Sequence, residues 1–125
     1  GGGKHVAGVY TPAVADAWKM QVTTAAMPHR IDPPETGPFR ADLCFQMPRP
    51  KSHYHTRNAL AGQLREDAPL WHAAKPDIDN LAKAVLDALT DSQMFWKDDA
   101  QVCCGEIRKI YTNAASGCAV TIYRL

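Results

Sequence analysis

The stretch Phe39-Arg40-Ala41-Asp42-Leu43-Cys44-Phe45-Gln46-Met47 alternates without a break. Phe39, Ala41, Leu43, Phe45 and Met47 fall on one side, and Arg40, Asp42, Cys44 and Gln46 on the other. A period of two is the spacing of a β-strand with one face on a core, and a helix cannot satisfy it. Such a strand needs partner strands and a covering layer to bury its apolar row. Proline clusters bound it, with Asp32-Pro33-Pro34-Glu35-Thr36-Gly37-Pro38 before and Pro48-Arg49-Pro50-Lys51 after.

The covering layer is legible on both sides. Val14, Trp18, Val22 and Ala25 recur at helical spacing and predict a helix from Pro12 to Met27, with Thr11 as N-cap and Pro12 in the first helical position. Leu81, Val85, Leu86 and Leu89 predict a second helix from Asn80 to Thr90, capped by Asp79. Between them, Asn58 to Arg65 is expected to form a short helix. Residues 91–99 read as a loop. Val102 to Thr112 and Ala119 to Arg124 are β-rich and flank a turn at Asn113-Ala114-Ala115-Ser116-Gly117, which predicts an antiparallel hairpin. The expected fold is α+β: a small mixed sheet with two main helices packed on one side, in a single domain spanning residues 1–125.

Composition then narrows the function classes. No apolar run reaches the ~18 residues of a membrane span, and 46% hydrophobic with 22% charged residues excludes a disordered chain. The net charge of +1 looks indifferent to nucleic acid, but its distribution is not. Asp77 to Asp99 holds six acids against two bases, a local charge of −4, and the rest of the chain carries +5. Of the four cysteines, Cys103 and Cys104 are neighbours on a strand and point to opposite faces, and no C-x2-C pair exists. They read as small apolar residues of a reducing cytoplasm, not zinc ligands.

The acidic window carries the chemistry. Asp77 and Asp79 follow Pro76 two residues apart, and Asp98-Asp99 stands immediately before the predicted hairpin. Carboxylates from two segments thus meet at one end of the second helix. Clustered carboxylates raise one another's pKa unless a cation sits among them. Oxygen-only ligands suit Mg²⁺ or Mn²⁺. A carboxylate-held metal beside a basic surface is the chemistry of phosphodiester hydrolysis. Asp79, Lys83 and Asp87 are four apart on one helical face, so Lys83 points toward the metal side and can stabilise charge on a phosphate. Each feature alone has a plainer reading: Asp79 as an N-cap, the ladder as a solvated ion-paired face, Asp98-Asp99 as a turn. The candidates for DNA contact are Arg49, Lys51, His53, His55, Arg57 and Lys75 for phosphates, with Tyr54 for stacking on an unpaired base. Their alternative is an ordinary solvated loop. His53-x-His55 lacks a third metal ligand nearby. Trp71 and His72 read as packing and loop, and Trp96 as a core anchor for the turn bearing Asp98 and Asp99.

Lys75-Pro-Asp-Ile-Asp-Asn-Leu-Ala-Lys83, Leu86-Asp-Ala-Leu89 and Phe95-Trp-Lys-Asp-Asp-Ala-Gln-Val102 together closely resemble the RusA family of Holliday-junction resolvases, small endodeoxyribonucleases common in phages and prophages. Weaker likeness lies in Tyr10-Thr11-Pro12 and Met47-Pro48-Arg49-Pro50-Lys51. The resemblance implies a homodimer, Mg²⁺-dependent paired cleavage of four-way DNA junctions in recombination and repair, and cytoplasmic action at the nucleoid. By position it assigns essential carboxylates to Asp77, Asp79 and Asp99 and an essential lysine to Lys83, with Asp98 and Asp87 at recurrent positions. Two rivals stand beside this reading: a non-cleaving junction-binding module, and a metal-dependent nuclease preferring flaps or duplex. Family members begin with a strand and a Gly/Pro/basic loop. This chain opens at Gly1 in what would be that loop, so the N-terminal strand is expected to be missing or supplied elsewhere.

Overall fold

The computed structural model describes residues 4–7 and 15–125. Among them lie two α-helices, α1 (Ala15–Ala26) and α2 (Ile78–Asp91), and five strands: β1 (Lys4–Ala7), β2 (Phe39–Pro48), β3 (Val102–Cys104), β4 (Ile107–Thr112) and β5 (Gly117–Arg124). The predicted helix start at Thr11 and Pro12, the Gly1-Gly2-Gly3 opening, Val14 and the side chain of Trp18 lie outside the described residues.

The alternating strand is the centre of the molecule. All five of its inward residues, Phe39, Ala41, Leu43, Phe45 and Met47, are buried, and its outward row is half-buried. One edge pairs antiparallel with β5, and the other pairs parallel with β3 and then β4. The row order is β1, β5, β2, then β3 and β4 in line. Val22 and Ala26 of α1, with Leu81, Ala82, Val85, Ala88 and Leu89 of α2, meet the inward row of β2 and Cys118, Val120 and Ile122 of β5 in one core. The α+β class, the mixed sheet and the helices on one side are as the sequence indicates.

Three local expectations are corrected. First, β4 and β5 do not form a hairpin with each other: β2 lies between them. A turn at residues 113–116 reverses the chain but does not decide which row the returning strand joins. The most apolar strand gains most from being paired on both edges. Second, the β-rich run from Val102 to Thr112 is broken at Gly105. Gly105 has φ +151°, and a Cβ there would sit 1.7 Å from the carbonyl oxygen of Ala41. Only glycine permits this approach. Asp42 Oδ1 accepts from Glu106 N at 2.9 Å and holds the break in place. Third, Asn58–Leu60 makes one 3-10 turn instead of a helix to Arg65. The flanking backbone closes a narrow loop through His55 N to Gln63 O and Arg65 N to His53 O, both 2.8 Å. In addition, a short strand, Lys4–Ala7, precedes the first helix and pairs antiparallel with β5. Four residues are too few to show a period in the sequence, and the open edge of β5 supplies the template.

The opposite edge is also covered. Residues 70–72 run antiparallel to β4, with Tyr111 N donating to Leu70 O at 2.8 Å and His72 N to Lys109 O at 3.1 Å. Below the sheet, Met94, Phe95 and Trp96 are buried although they belong to the connection after α2. Ile31 N and Glu35 N donate to Met94 O and Phe95 O at 2.8 and 2.9 Å, which ties the proline-rich segment to them.

Candidate active site

The head of α2 carries the first acidic pair. Asp77, not Asp79, occupies the cap position: it is extended, and its carbonyl accepts the first helical bond from Leu81 N at 3.2 Å. Its side chain does no capping. It accepts from Lys75 Nζ at 2.8 Å, and that hydrogen bond and charge hold the Asp77 carboxyl below the ordinary carboxylate range, with Lys109 adding a smaller pull. The pair is open to water, with side-chain exposures of 85% and 48%, so it contributes little to stability. Asp79 sits in the first helical turn, where the helix dipole favours an acid.

Lys109 fixes the approach to this pair. Its ammonium donates to the carbonyls of Ala74 and Pro76, the latter at 2.7 Å, and so clamps the loop that delivers Asp77. Lys83 and Asp87 continue the helical face of Asp79 at four-residue steps. No ion pair joins these three among the described residues, so the plainer reading of an ion-paired ladder is not what the fold builds. Lys83 is exposed, and Asp87 is half-buried.

The second acidic pair rests on a buried foundation. Trp96 is fully buried and donates from Nε1 to Thr90 Oγ1 at 2.7 Å, which pins the turn to the end of α2. Asp98 caps a 3-10 turn, Asp99–Gln101, by accepting from Ala100 N at 2.9 Å. Gln101 uses both ends of its amide. Its Oε1 accepts from Lys97 N at 2.9 Å and Asp98 N at 3.0 Å, and its Nε2 donates to the carbonyls of Glu35 and Gly37 at 2.9 and 3.0 Å. The Asp99 carboxyl is pushed above the ordinary range, first by its hydrogen bond with Asp98, then by burial and by the charges of Asp98 and Asp87.

The acids therefore stand in two subsets: Asp77 with Asp79, and Asp98 and Asp99 with Asp87. No three His, Cys, Asp or Glu side chains among the described residues converge as a ready ion cage. The donor chemistry nevertheless fits a hard divalent cation. Every candidate ligand is a carboxylate oxygen, and the crowding on Asp99 is the condition a cation relieves.

The predicted phosphate contacts divide. Lys51 and Arg57 are exposed. Arg49 is committed to structure: it donates to Asn113 Oδ1 at 2.7 Å and Pro69 O at 2.6 Å, and its guanidinium lies 5.3 Å from the Tyr111 ring centre. His53 packs edge-on against Tyr111 at 4.7 Å and lies 3.3 Å from Arg49. Tyr54 and His55 lie in the narrow neck of the loop, half-buried, with Tyr54 bridging to Leu64. Lys75 is in the cleft beside Asp77.

That cleft, about 760 Å³, is lined by Trp71, His72, Lys75, Asp77, Ile78, Asp79, Ile107, Arg108 and Lys109 with the backbone of 73–74. Sequence reasoning takes Trp71 and His72 only as packing and loop, and it assigns no site role to Lys109 or Gln101. The pairing that brings residues 70–72 to β4 is long-range and left no local signal. The capping-box spacing from Asp98 to Gln101 was the one readable clue. His72 is nine-tenths buried, burial lowers its pKa and Lys109 lowers it further, and its Nδ1 has no hydrogen-bond partner.

Residues 2–123 match the family of Endodeoxyribonuclease RusA, nearly the whole chain. The chain belongs to the RusA endodeoxyribonuclease family. It is also similar to an uncharacterized protein of Bacillus subtilis (strain 168), YqaN, at 34% identity over 101 residues, which covers 81% of this chain and 68% of that protein. Both alignments extend well beyond the acidic motif. In this RusA-family chain the motif therefore sits within a match to the domain as a whole. Among the described residues no helix is long and apolar enough to cross a membrane.

Proposed function

We propose that the protein is a Mg²⁺-dependent, structure-selective endodeoxyribonuclease that resolves four-way DNA junctions by paired, symmetric nicks and acts as a homodimer. The observation that carries this reading is the placement of Asp77, Asp79 and Lys83 at the exposed head of α2, within a chain that matches the RusA family from residue 2 to residue 123.

Asp77, Asp79 and Asp99, with Asp98, are the residues that would hold Mg²⁺ or Mn²⁺, and the bound ion supplies water activation and neutralisation of phosphate charge. The chain's own groups do the rest. Lys83, four residues after Asp79, stabilises negative charge developing on the phosphate. The amide of Gln101 and the ammonium of Lys109 hold the two acid-bearing segments in place, so little ordering is left to the bound state. Lys51, Arg57 and Arg108 are exposed cations available to neighbouring phosphates. A four-way junction has approximate two-fold symmetry, and a two-fold dimer places equivalent sites on opposed strands.

The test is direct. The protein is incubated with a mobile four-way junction, a flap and a linear duplex, in Mg²⁺ and in EDTA. Paired nicks confined to the junction and abolished by EDTA are expected. Binding without nicks in any divalent ion would assign a binding module instead, and nicks in flap or duplex would assign a different substrate. Sedimentation of free protein and of its junction complex reports the dimer.

A further inference from the structure

The cleft beside Asp77 and Asp79 has features that hydrolysis of a phosphodiester does not require. Trp71 is 59% exposed, which is unusual for so large an apolar ring, and backbone pairing of residues 70–72 with β4 holds its position. Ile78 and Ile107 are also exposed apolar residues of the same lining. The charged residues of the lining are Lys75, Arg108 and Lys109 against Asp77 and Asp79, a net positive wall. A flat exposed ring, an apolar rim and excess positive charge together match one nucleotide: an aromatic base joined to an anionic phosphate. The cleft is an open groove of about 760 Å³, large enough to admit one nucleotide.

We infer that this cleft receives a single unstacked nucleotide of the DNA substrate, with its base stacked on Trp71 and its phosphate toward Arg108 and the acidic pair. The inference rests on the junction-nuclease reading and deepens it. At a branch point the stacking of bases is already interrupted, so extracting one nucleotide costs less there than within a continuous duplex. Trp71 thereby becomes a determinant of structure selectivity, set apart from the groups that act on the phosphate.

The experiment measures binding in Ca²⁺ to three probes: a four-way junction, a duplex with a one-nucleotide bulge, and an unbroken duplex. The first two carry 2-aminopurine at the unstacked position. Trp71→Ala is expected to weaken binding to junction and bulge by about 5- to 140-fold, which is the ~1–3 kcal/mol of one base–aromatic stack, and to leave the unbroken duplex unchanged. Trp71→Phe is expected to restore affinity to within about threefold, since it keeps an aromatic face. The 2-aminopurine emission should change on binding to the wild type and not to Trp71→Ala. Thermal unfolding checks that both variants are folded, and if the alanine variant is not, Trp71→Leu, which keeps bulk but has no ring face, carries the test with the same expected loss. Equal affinities of wild type and Trp71→Ala for junction and bulge would overturn the inference, even with nicking intact. If the wild type shows no preference for the junction, the junction reading fails instead, and the bulged duplex alone decides the cleft.

Discussion

Asp77 and Asp79 stand at the head of a helix with Lys75 and Lys109 beside them; Asp98 and Asp99 stand in a turn beside Asp87. The first pair is counter-charged, and Lys75 holds the Asp77 carboxyl below its ordinary range. The second is crowded by its own kind, and Asp98 and Asp87 push the Asp99 carboxyl up. Each pair has its own clamp: a charged one at the helix head, where Lys109 grips two loop carbonyls, and a neutral one in the turn, where Gln101 makes four hydrogen bonds. The contrast teaches that the two pairs sit in different electrostatic settings: lysines draw the Asp77 carboxyl down, whereas neighbouring acids push the Asp99 carboxyl up. The divalent ion of the proposed function would relieve the second pair more than the first.

Neutralising an acid at the helix head should have the largest effect. Asp79→Asn is expected to reduce junction nicking by at least ~10²–10³-fold while junction binding persists. Gel-resolved nicking beside a binding titration checks it, and equal nicking would remove Asp79 from the machinery. The clamps come next. Gln101→Ala should cost about 1–3 kcal/mol in chemical denaturation. It and Lys109→Met should each lower nicking by ~10–10²-fold through misplacement alone, since neither side chain is assigned to reacting atoms. A loss confined to one clamp would show that only one pair must be pre-set.

A smaller effect separates the two electrostatic states. In EDTA, Asp99→Asn should raise the Tm, because it removes a repelled charge, whereas Asp77→Asn should not, because it breaks an ion pair with Lys75. Mg²⁺ should erase the advantage of Asp99→Asn. Mg²⁺ or Ca²⁺ should also tighten junction binding by the wild type, since each bound ion offsets half of the local −4 that repels phosphates. The smallest effect lies away from both pairs and serves as a control. Asp42 is held below the ordinary carboxylate range first by the hydrogen bond it accepts from Arg40; burial opposes this, and the bond from Glu106 N and nearby positive charge add to the lowering. Its contribution is therefore present above an unfolded pKa of about 3.9 and fades as pH falls through the lower folded value. The Tm difference between wild type and Asp42→Asn should shrink on acidification below about pH 4, and that of Asp77→Asn, whose carboxyl Lys75 also holds low, should shrink with it.

Much of this was legible along the chain. The alternating strand, the apolar stripe of α2 and the role of Trp96 follow from periods of two and 3.6 residues and from local spacing, which a linear sequence displays directly. So does the acidic motif, whose members lie within 25 residues. The register errors came from contacts that spacing does not encode. A turn joins β4 to β5 and makes them look adjacent, yet β2, whose Leu43 pairs with Ile107, separates them. Asp79 looks like a cap because it precedes the apolar stripe, but the helix begins two residues earlier, with Asp77 in the cap position. Arg49 looked free for DNA because arginine commonly is, while the fold places Asn113 and Pro69 against it.

The sequence by itself determined the class of the fold, the family and the identity of the acids and lysine, because periodicity and short-range motifs carry that information within a few helical turns. Only the tertiary structure decided how the acids divide, which side chains clamp them, and that Trp71 and His72 line the same cleft as Asp77 and Asp79. Those facts depend on which distant strand edges meet, and long-range backbone pairing settles that without leaving a mark on neighbouring residues.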